Sequence, residues 1–233
     1  MKQFIPLSAR LRYQCIKRYW REHVVNQHHF ARVRRPTLSH LHGLTHQQVI
    51  QISSHFSQKV SNIDRCIEHI NGVVIEPGQI FSFWHLVPQP TSKNGFKPSR
   101  NLVQGQLKEA IGGGICQVSC ILYINALKAG LHILERHAHS VDIYQEHERF
   151  TPLGSDATVV YGYKDLQFKN NHTCAVQISL ARHEQQLTCT FYTMQPLPDV
   201  ALSFHTDLVD QLKCVTTYAN QIPIASSQYK TPL

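Results

Sequence analysis

One stretch constrains the chain more than any other: Gly112-Gly113-Gly114-Ile115-Cys116-Gln117-Val118-Ser119-Cys120. Three successive glycines lose more conformational freedom on folding than almost any other tripeptide, so a fold that keeps them needs positive φ or close backbone approach there. Behind them Cys116, Cys120, Tyr123, Ile124, Leu127 and Leu131 recur at threes and fours, the spacing of a helix with a buried face. Cys116 therefore falls in the first turn of a predicted helix. Free N–H groups and the positive end of the helix dipole favour a thiolate at such a position. Two readings stand side by side. In one, Cys116 is a nucleophile presented at a helix start. In the other it is a small apolar residue at a tight turn, free cysteine being among the most buried residue types.

The chain has 233 residues, 42% of them hydrophobic, which is enough for one substantial core. Its net charge of +8 is unevenly placed. Residues 1–46 hold nine Lys or Arg and one acid, Glu22, while the remainder is neutral. Within this arm Leu7, Leu11, Cys15, Ile16, Tyr19 and Trp20 mix with Arg10, Arg12, Lys17, Arg18 and Arg21 at roughly helical spacing. A solvated helix packed on the domain by its apolar side is the first expectation, and contact with an anionic membrane surface the second. No nucleic-acid partner is expected, because the rest of the chain offers no basic surface. Seven irregularly spaced cysteines make a poor disulfide framework and are expected to be free thiols. No apolar run reaches the length of a membrane span, and the first residues lack the continuous apolar stretch of a secretory signal. A cytoplasmic protein, at most peripheral to the inner membrane face, is the expectation.

Read in order, residues 45–71 predict a helix, with Thr45 and Gln48 as a capping box and a stripe through Val49, Ile52, Phe56, Val60, Ile63, Ile67 and Ile70. Residues 73–75 and 80–84 flank Pro77-Gly78 and predict a hairpin or bent strand pair. Residues 88–99 read as a loop, 102–111 as extended chain, and 115–129 as the helix that Gly130 ends. Segments 133–136, 140–144, 157–161, 166–168, 175–180 and 187–192 read as strands joined by short polar turns, hence an antiparallel sheet. The predicted fold class is α+β: an antiparallel sheet packed against a central helix that begins at the Gly-Gly-Gly-Ile-Cys motif, with an N-terminal helix. Three parts follow: a basic arm over 1–44, an α+β domain over 45–198, and a partly ordered tail over 199–233.

A series of short motifs then falls in one order. They are Asn71-Gly72, Pro77-Gly78, Phe81-Ser82-Phe83, Gly95-Phe96, the run Gly112 to Ser119, Leu122-Tyr123, Asn125-Ala126, Gly130-Leu131 and Glu135-Arg136. His139-Ser140, Tyr144, Asp156-Ala157-Thr158-Val159, Asp165-Leu166, Phe168 and Asn170 complete it. Over roughly residues 60–193 this order resembles the VanW family, accessory proteins of B-type vancomycin-resistance clusters and their bacterial relatives. Cys120 replaces an expected hydroxyl residue, and Ile124 interrupts the usual Tyr-Asn pair. The resemblance implies a cell-envelope or glycopeptide-resistance setting, with a link to the cell wall and peptidoglycan, and no settled activity.

Cys116, His139 and Asp156 also occur in the order used by cysteine acyl-transfer enzymes of the transglutaminase and papain type. There a base deprotonates the thiol and an acid fixes the imidazole. Gln117 or backbone N–H groups at the helix start can supply an oxyanion site. Gly112, Gly113, Gly114, Gln117, Ser119 and Arg136 are candidate ligand-binding residues, Arg136 for an anionic group. Each has a plainer role available: His139 at a strand end, Asp156 in a turn, Arg136 in an internal ion pair. Cys116, Cys120, His137 and His139 have no paired Cys-x-x-Cys knuckle, and no metal or other cofactor is expected. Phosphate-loop, dinucleotide and serine-elbow motifs are absent. The expectation is a cysteine-dependent amide hydrolase or acyltransferase on a peptide or peptidoglycan-related substrate. The alternative is a non-catalytic module that binds a cell-wall precursor or fragment.

Overall fold

The computed structural model describes residues 6–36, 42–52, 55–103, 106–142 and 149–231. Helix α1, Leu7–Tyr19, runs into a π-helical turn, Trp20–Val25. Strand β1 (His42–Val49), helix α2 (Phe56–Ile70), strands β2 (Val74–Ile75) and β3 (Ile80–Ser82) and the one-turn helix α3 (Phe83–Leu86) follow. The hairpin of β4 (Pro98–Val103) and β5 (Gln106–Ile111) then leads into helix α4, Ile115–Lys128. Beyond it lie β6 (His132–Glu135), β7 (Gln167–Lys169), β8 (Val176–His183) and β9 (Gln186–Thr193). Three more strands follow: β10 (Leu202–Val209), β11 (Leu212–Ala219) and β12 (Ile222–Lys230).

Helix α4 is the axis. All of its residues except Cys116 and Lys128 are buried, so it is apolar all round rather than striped. One side faces α2, where Ile63 and Cys66 join Val118 and Leu122 in the core. Another faces the sheet ordered β1-β9-β8-β2. There the buried Asn125 donates to the Leu44 carbonyl at 3.2 Å. A third side faces the irregular segment 157–159, whose Ala157 carbonyl accepts from Ser119 Oγ at 2.5 Å. Each apolar side chain fully buried here contributes about 1.5–3 kcal/mol relative to exposure. A second sheet, β3-β7-β6, carries Phe81 and Phe168 stacked at 4.5 Å between ring centroids. Every ladder between the named strands is antiparallel, in line with the α+β expectation, and the parallel pairings among the described residues are the isolated bridges of Phe30 with Ile80 and of Val141 with Lys230.

Four expectations are corrected. The helix predicted over 45–71 begins at Phe56; residues 42–49 form β1 on the edge of β9, with Thr45 opposite Thr190 and the two hydroxyls 2.9 Å apart. Thr45 and Gln48 cap nothing, and Val49 and Ile52, at 52% and 67% exposure, do not belong to the buried stripe. The segments around Pro77-Gly78 are not a hairpin: β2 pairs with β8 and β3 with β7, in different sheets. Residues 157–161 are not a strand, because their backbone groups serve α4 and its surroundings. Ala157 N–H reaches Cys120 Sγ at 3.1 Å, and Thr158 N–H reaches the His137 carbonyl at 2.7 Å. The expected strand at 140–144 lies partly outside the described residues; within them Val141 bridges Lys230.

The fourth correction concerns the tail. Residues 202–230 form the antiparallel meander β10-β11-β12. Most of its side chains face solvent, so it carries little apolar periodicity, yet Val215, Thr217, Ser227 and Tyr229 are buried against the domain. The arm docks too. Leu11 and Cys15 cover Gly162, and Arg18 makes two 2.8 Å bonds to the Glu135 carboxylate. The buried Glu22 pairs with Arg18 at 3.0 Å and accepts from Gln167 Nε2 at 2.7 Å. No helix among the described residues is long and apolar enough to cross a membrane.

Candidate active site

The glycine run ends in a turn that fixes where α4 starts. Gly114 is the N-cap, with φ +96°. A Cβ there would meet the Lys59 side chain at 2.6 Å and the Lys59 carbonyl at 3.0 Å, so α2 approaches too closely for any other residue. The buried Asn62 clamps the turn by donating to the Gly113 carbonyl at 2.9 Å and the Lys97 carbonyl at 3.0 Å. Its own Oδ1 accepts from Lys97 N–H at 2.7 Å. Ile115 N–H bonds the Gly112 carbonyl and Gln117 N–H the Gly114 carbonyl. Between them Cys116, a half-buried residue, turns its thiol toward the 157–159 segment.

Three groups meet the sulfur there. Thr158 Oγ1 lies 3.7 Å away, Val159 N–H donates to it, and the His139 imidazole bonds it. His139 Nδ1 lies 2.6 Å from Asp156 Oδ2, which leaves the other ring nitrogen for the thiol. The same carboxylate oxygen accepts the His139 backbone N–H at 2.7 Å, so the ring and its main chain are held by one atom. Asp156 Oδ1 accepts from Arg136 at 2.9 Å and from the Tyr229 hydroxyl.

Burial opposes charge on all three groups, and their mutual bonds overcome it. Burial alone would raise the Cys116 thiol; the hydrogen bond and charge of His139, then Val159 N–H and Thr158, bring it below the ordinary 9.0. Burial would depress His139, yet its bonds to Asp156 and Cys116 raise it to about 10. Burial would raise Asp156, yet His139 and Arg136 hold it at about 2. The arrangement favours a thiolate–imidazolium pair anchored by a carboxylate. Burial drives Cys15, Cys66, Cys120 and Cys189 the opposite way.

A family described as VanW like protein matches residues 58–192. The chain belongs to that family. It is 33% identical over 147 residues to "Uncharacterized protein YoaR" of Bacillus subtilis, covering 63% of this chain and 47% of the relative. It is also 33% identical over 129 residues to "Vancomycin B-type resistance protein VanW" of Enterococcus faecalis, covering 55% and 47%. The chain thus spans about half the length of these curated relatives, and the second ties the VanW-like family to vancomycin resistance by name. No solved structure matches it. The matched region runs from α2 to β9 and contains Cys116, His139 and Asp156, but neither the arm nor the C-terminal sheet.

The residues singled out in the sequence separate into two groups. Cys116, His139 and Asp156 converge on one hydrogen-bonded relay. Gly112, Gly113 and Gly114 shape the turn before α4. Ser119 points inward to the carbonyls of Cys116 and Ala157, and Gln117 is buried, with its amide oxygen unpartnered among the described residues. Arg136, read as a candidate for an anionic ligand or for an internal ion pair, is committed internally. Its guanidinium donates to the carbonyls of Asp156 at 2.6 Å and Gly154 at 2.9 Å and to Ser227 Oγ at 2.5 Å, besides the Asp156 carboxylate. It also lies 5.0 Å over the Tyr123 ring. His137 turns to Glu135 at 3.0 Å, and Cys120 lies buried against Ala157. The sequence reading missed Thr158, Val159 N–H and Tyr229. The first two sit in the quoted motif beginning at Asp156; nothing in the sequence marked Tyr229.

Proposed function

We infer that this protein is a cysteine-dependent amide hydrolase or acyltransferase acting on a peptide or peptidoglycan-related substrate. The observation that carries this is the unbroken relay from Asp156 Oδ2 through the His139 ring to the Cys116 thiol, set at the mouth of α4. The Cys116 thiolate attacks the amide carbonyl carbon, and a C–S bond forms as the carbonyl electrons move to oxygen. Backbone N–H groups of the first turn of α4, beside the thiol, stabilise that developing charge in this reading. His139 delivers its proton to the leaving nitrogen as the C–N bond breaks, giving a thioester and a free amine. Water or an acceptor amine then loses a proton to His139 and attacks the thioester, and the C–S bond breaks to restore the thiolate. Asp156 holds the ring throughout and keeps its own charge.

The link between a relative's name and vancomycin resistance supports a cell-wall amide as the substrate class. The alternative is a non-catalytic module whose Gly-rich entry and Arg136 read an anionic cell-wall fragment or precursor; the commitment of the Arg136 guanidinium to the Asp156 network favours the first reading over it. Iodoacetamide labelling read by peptide mass spectrometry tests the proposal. Cys116 is expected to label at pH 6–7 at least about tenfold faster than the other six thiols of the folded chain. In His139→Ala the advantage disappears. Labelling of Cys116 no faster than Cys174 or Cys214, which are also partly open, would refute the catalytic reading.

A further inference from the structure

The N-terminal helix has two working faces, and the domain uses only one. Leu11, Cys15, Arg18 and Glu22 follow each other at spacings of four, three and four and form the inner face, seated over Gly162 and locked to Glu135 and Gln167. On the opposite side Tyr13, Ile16, Trp20 and Val24 follow at three, four and four, which is again one helical face. All four are more than half exposed, as are Leu7 and Tyr19 nearby. Single exposed apolar residues are ordinary on a protein surface; a continuous row on one helix face marks an interaction site.

The rim of this row decides what covers it. Arg12 lies to one side and Lys17 to the other, both exposed. Arg21, also exposed, borders it while reaching Glu135 at 3.6 Å. The single acid of residues 7–25, Glu22, is buried on the inner face and neutralised by Arg18. The outward face is thus apolar and aromatic with a purely cationic margin. Tryptophan and tyrosine favour the boundary between headgroups and acyl chains, and lysine and arginine favour anionic headgroups. A protein groove complementary to this face would need an acidic rim on both sides of an apolar floor; an anionic bilayer offers both without further design.

We propose that helix α1 and the π-helical turn lie flat in the headgroup region of an anionic lipid bilayer. Ile16, Trp20, Tyr13 and Val24 enter the acyl boundary, Arg12 and Lys17 meet lipid phosphates, and the inner face stays on the domain. The protein then sits at the membrane periphery. This holds independently of the chemistry at Cys116, since no residue of the outer row touches that site.

Flotation of the full chain with vesicles tests it, using phosphatidylcholine alone and an equal mixture of phosphatidylcholine and phosphatidylglycerol. The chain is expected to bind the anionic vesicles, to release them in high salt, and to bind neutral ones at least about tenfold more weakly. The double variant Ile16→Ser/Trp20→Ser should weaken anionic binding at least about tenfold, and Lys17→Gln about fivefold. Native melting temperatures are expected for both, because these side chains face solvent. Vesicle binding should also shift tryptophan emission to the blue, and Trp20→Phe should remove that shift. Failure to bind anionic vesicles, or equal binding by the double variant, overturns the proposal. So does a concentration-dependent dimer in light scattering that the double variant abolishes, since that assigns the face to a second copy of the chain.

Discussion

The N-terminal arm and the C-terminal sheet both lie outside the matched family region, and both attach to the domain by the same device. Each closes over a glycine: Leu11 would meet a Cβ on Gly162 at 2.6 Å, and Val215 would meet one on Gly154 at 2.7 Å. Each then sends polar groups to one of two adjacent residues at the end of β6. Glu135 takes Arg18 of the arm, and Arg136 takes Ser227 of the sheet. Successive residues along an extended chain point to opposite sides, so one dipeptide can anchor both additions. The outcomes differ. The arm ends in a structural ion-pair cluster and leaves its far face uncovered. The sheet reaches the carboxylate that holds His139, because Tyr229 donates to the oxygen of Asp156 that His139 does not use. An addition to the matched domain joins the network of its candidate site when it satisfies a lone pair on a member of that network; otherwise it adds stability and surface.

The largest effect separating the two regions should come from Tyr229→Ala. It removes a fully buried ring and a donor to Asp156, and is expected to cost about 3–5 kcal/mol in chemical denaturation. In the protein that remains folded it should slow Cys116 labelling about tenfold, since the carboxylate that orients His139 loses a support. Next in size, Arg18→Ala leaves the buried Glu22 carboxylate without its cation and strips Glu135 of two 2.8 Å bonds, leaving it the more distant Arg21. It should cost about 3 kcal/mol, yet leave the Cys116 labelling rate unchanged. A labelling rate that falls with Arg18→Ala as far as with Tyr229→Ala would erase the distinction between the two regions.

The smallest effect is a shift with pH. Asp156, lowered from 3.8 to about 2, contributes stability that is present above pH 3.8 and lost as pH falls through about 2. Tyr229→Phe keeps the ring but removes the donor to Oδ1, so Asp156 protonates more readily. The acid unfolding midpoint should therefore move to higher pH by a few tenths of a unit or more. Acid titrations of the two chains by circular dichroism measure this, and superimposable curves would show that Tyr229 packs without supporting the carboxylate.

The contrast also explains what the sequence revealed. Much of the matched domain was legible because α4, β8 and β9 are deeply buried and their apolar content shows in the sequence. Cys116, His139 and Asp156 were legible because residue type and order restrict a cysteine relay to few candidates. Strand β1 was not, for two reasons: Thr45 and Gln48 mimic a capping box, and Val49 and Ile52 extend the genuine stripe of α2 although both face solvent. Its true partner, β9, lies more than 140 residues away, as the contact of Thr45 with Thr190 shows. The C-terminal sheet was illegible because a meander exposed along most of its length buries only a few residues, too few to leave a period. Arg136 was legible only as a choice between an anionic ligand and an internal ion pair, because its internal partners come from Gly154, Asp156 and Ser227, which nothing local to it announces.

Tyr229 follows Asp156 by 73 positions, and this separation has a consequence for biosynthesis. Cys116, His139 and Asp156 leave the ribosome first, and on the order of several seconds of translation pass before Tyr229 emerges. Throughout that interval the carboxylate lacks its tyrosine donor and the meander cannot close over Gly154. The hydrogen-bond network around Asp156 is therefore completed last, and a truncated or half-made chain carries it one donor short.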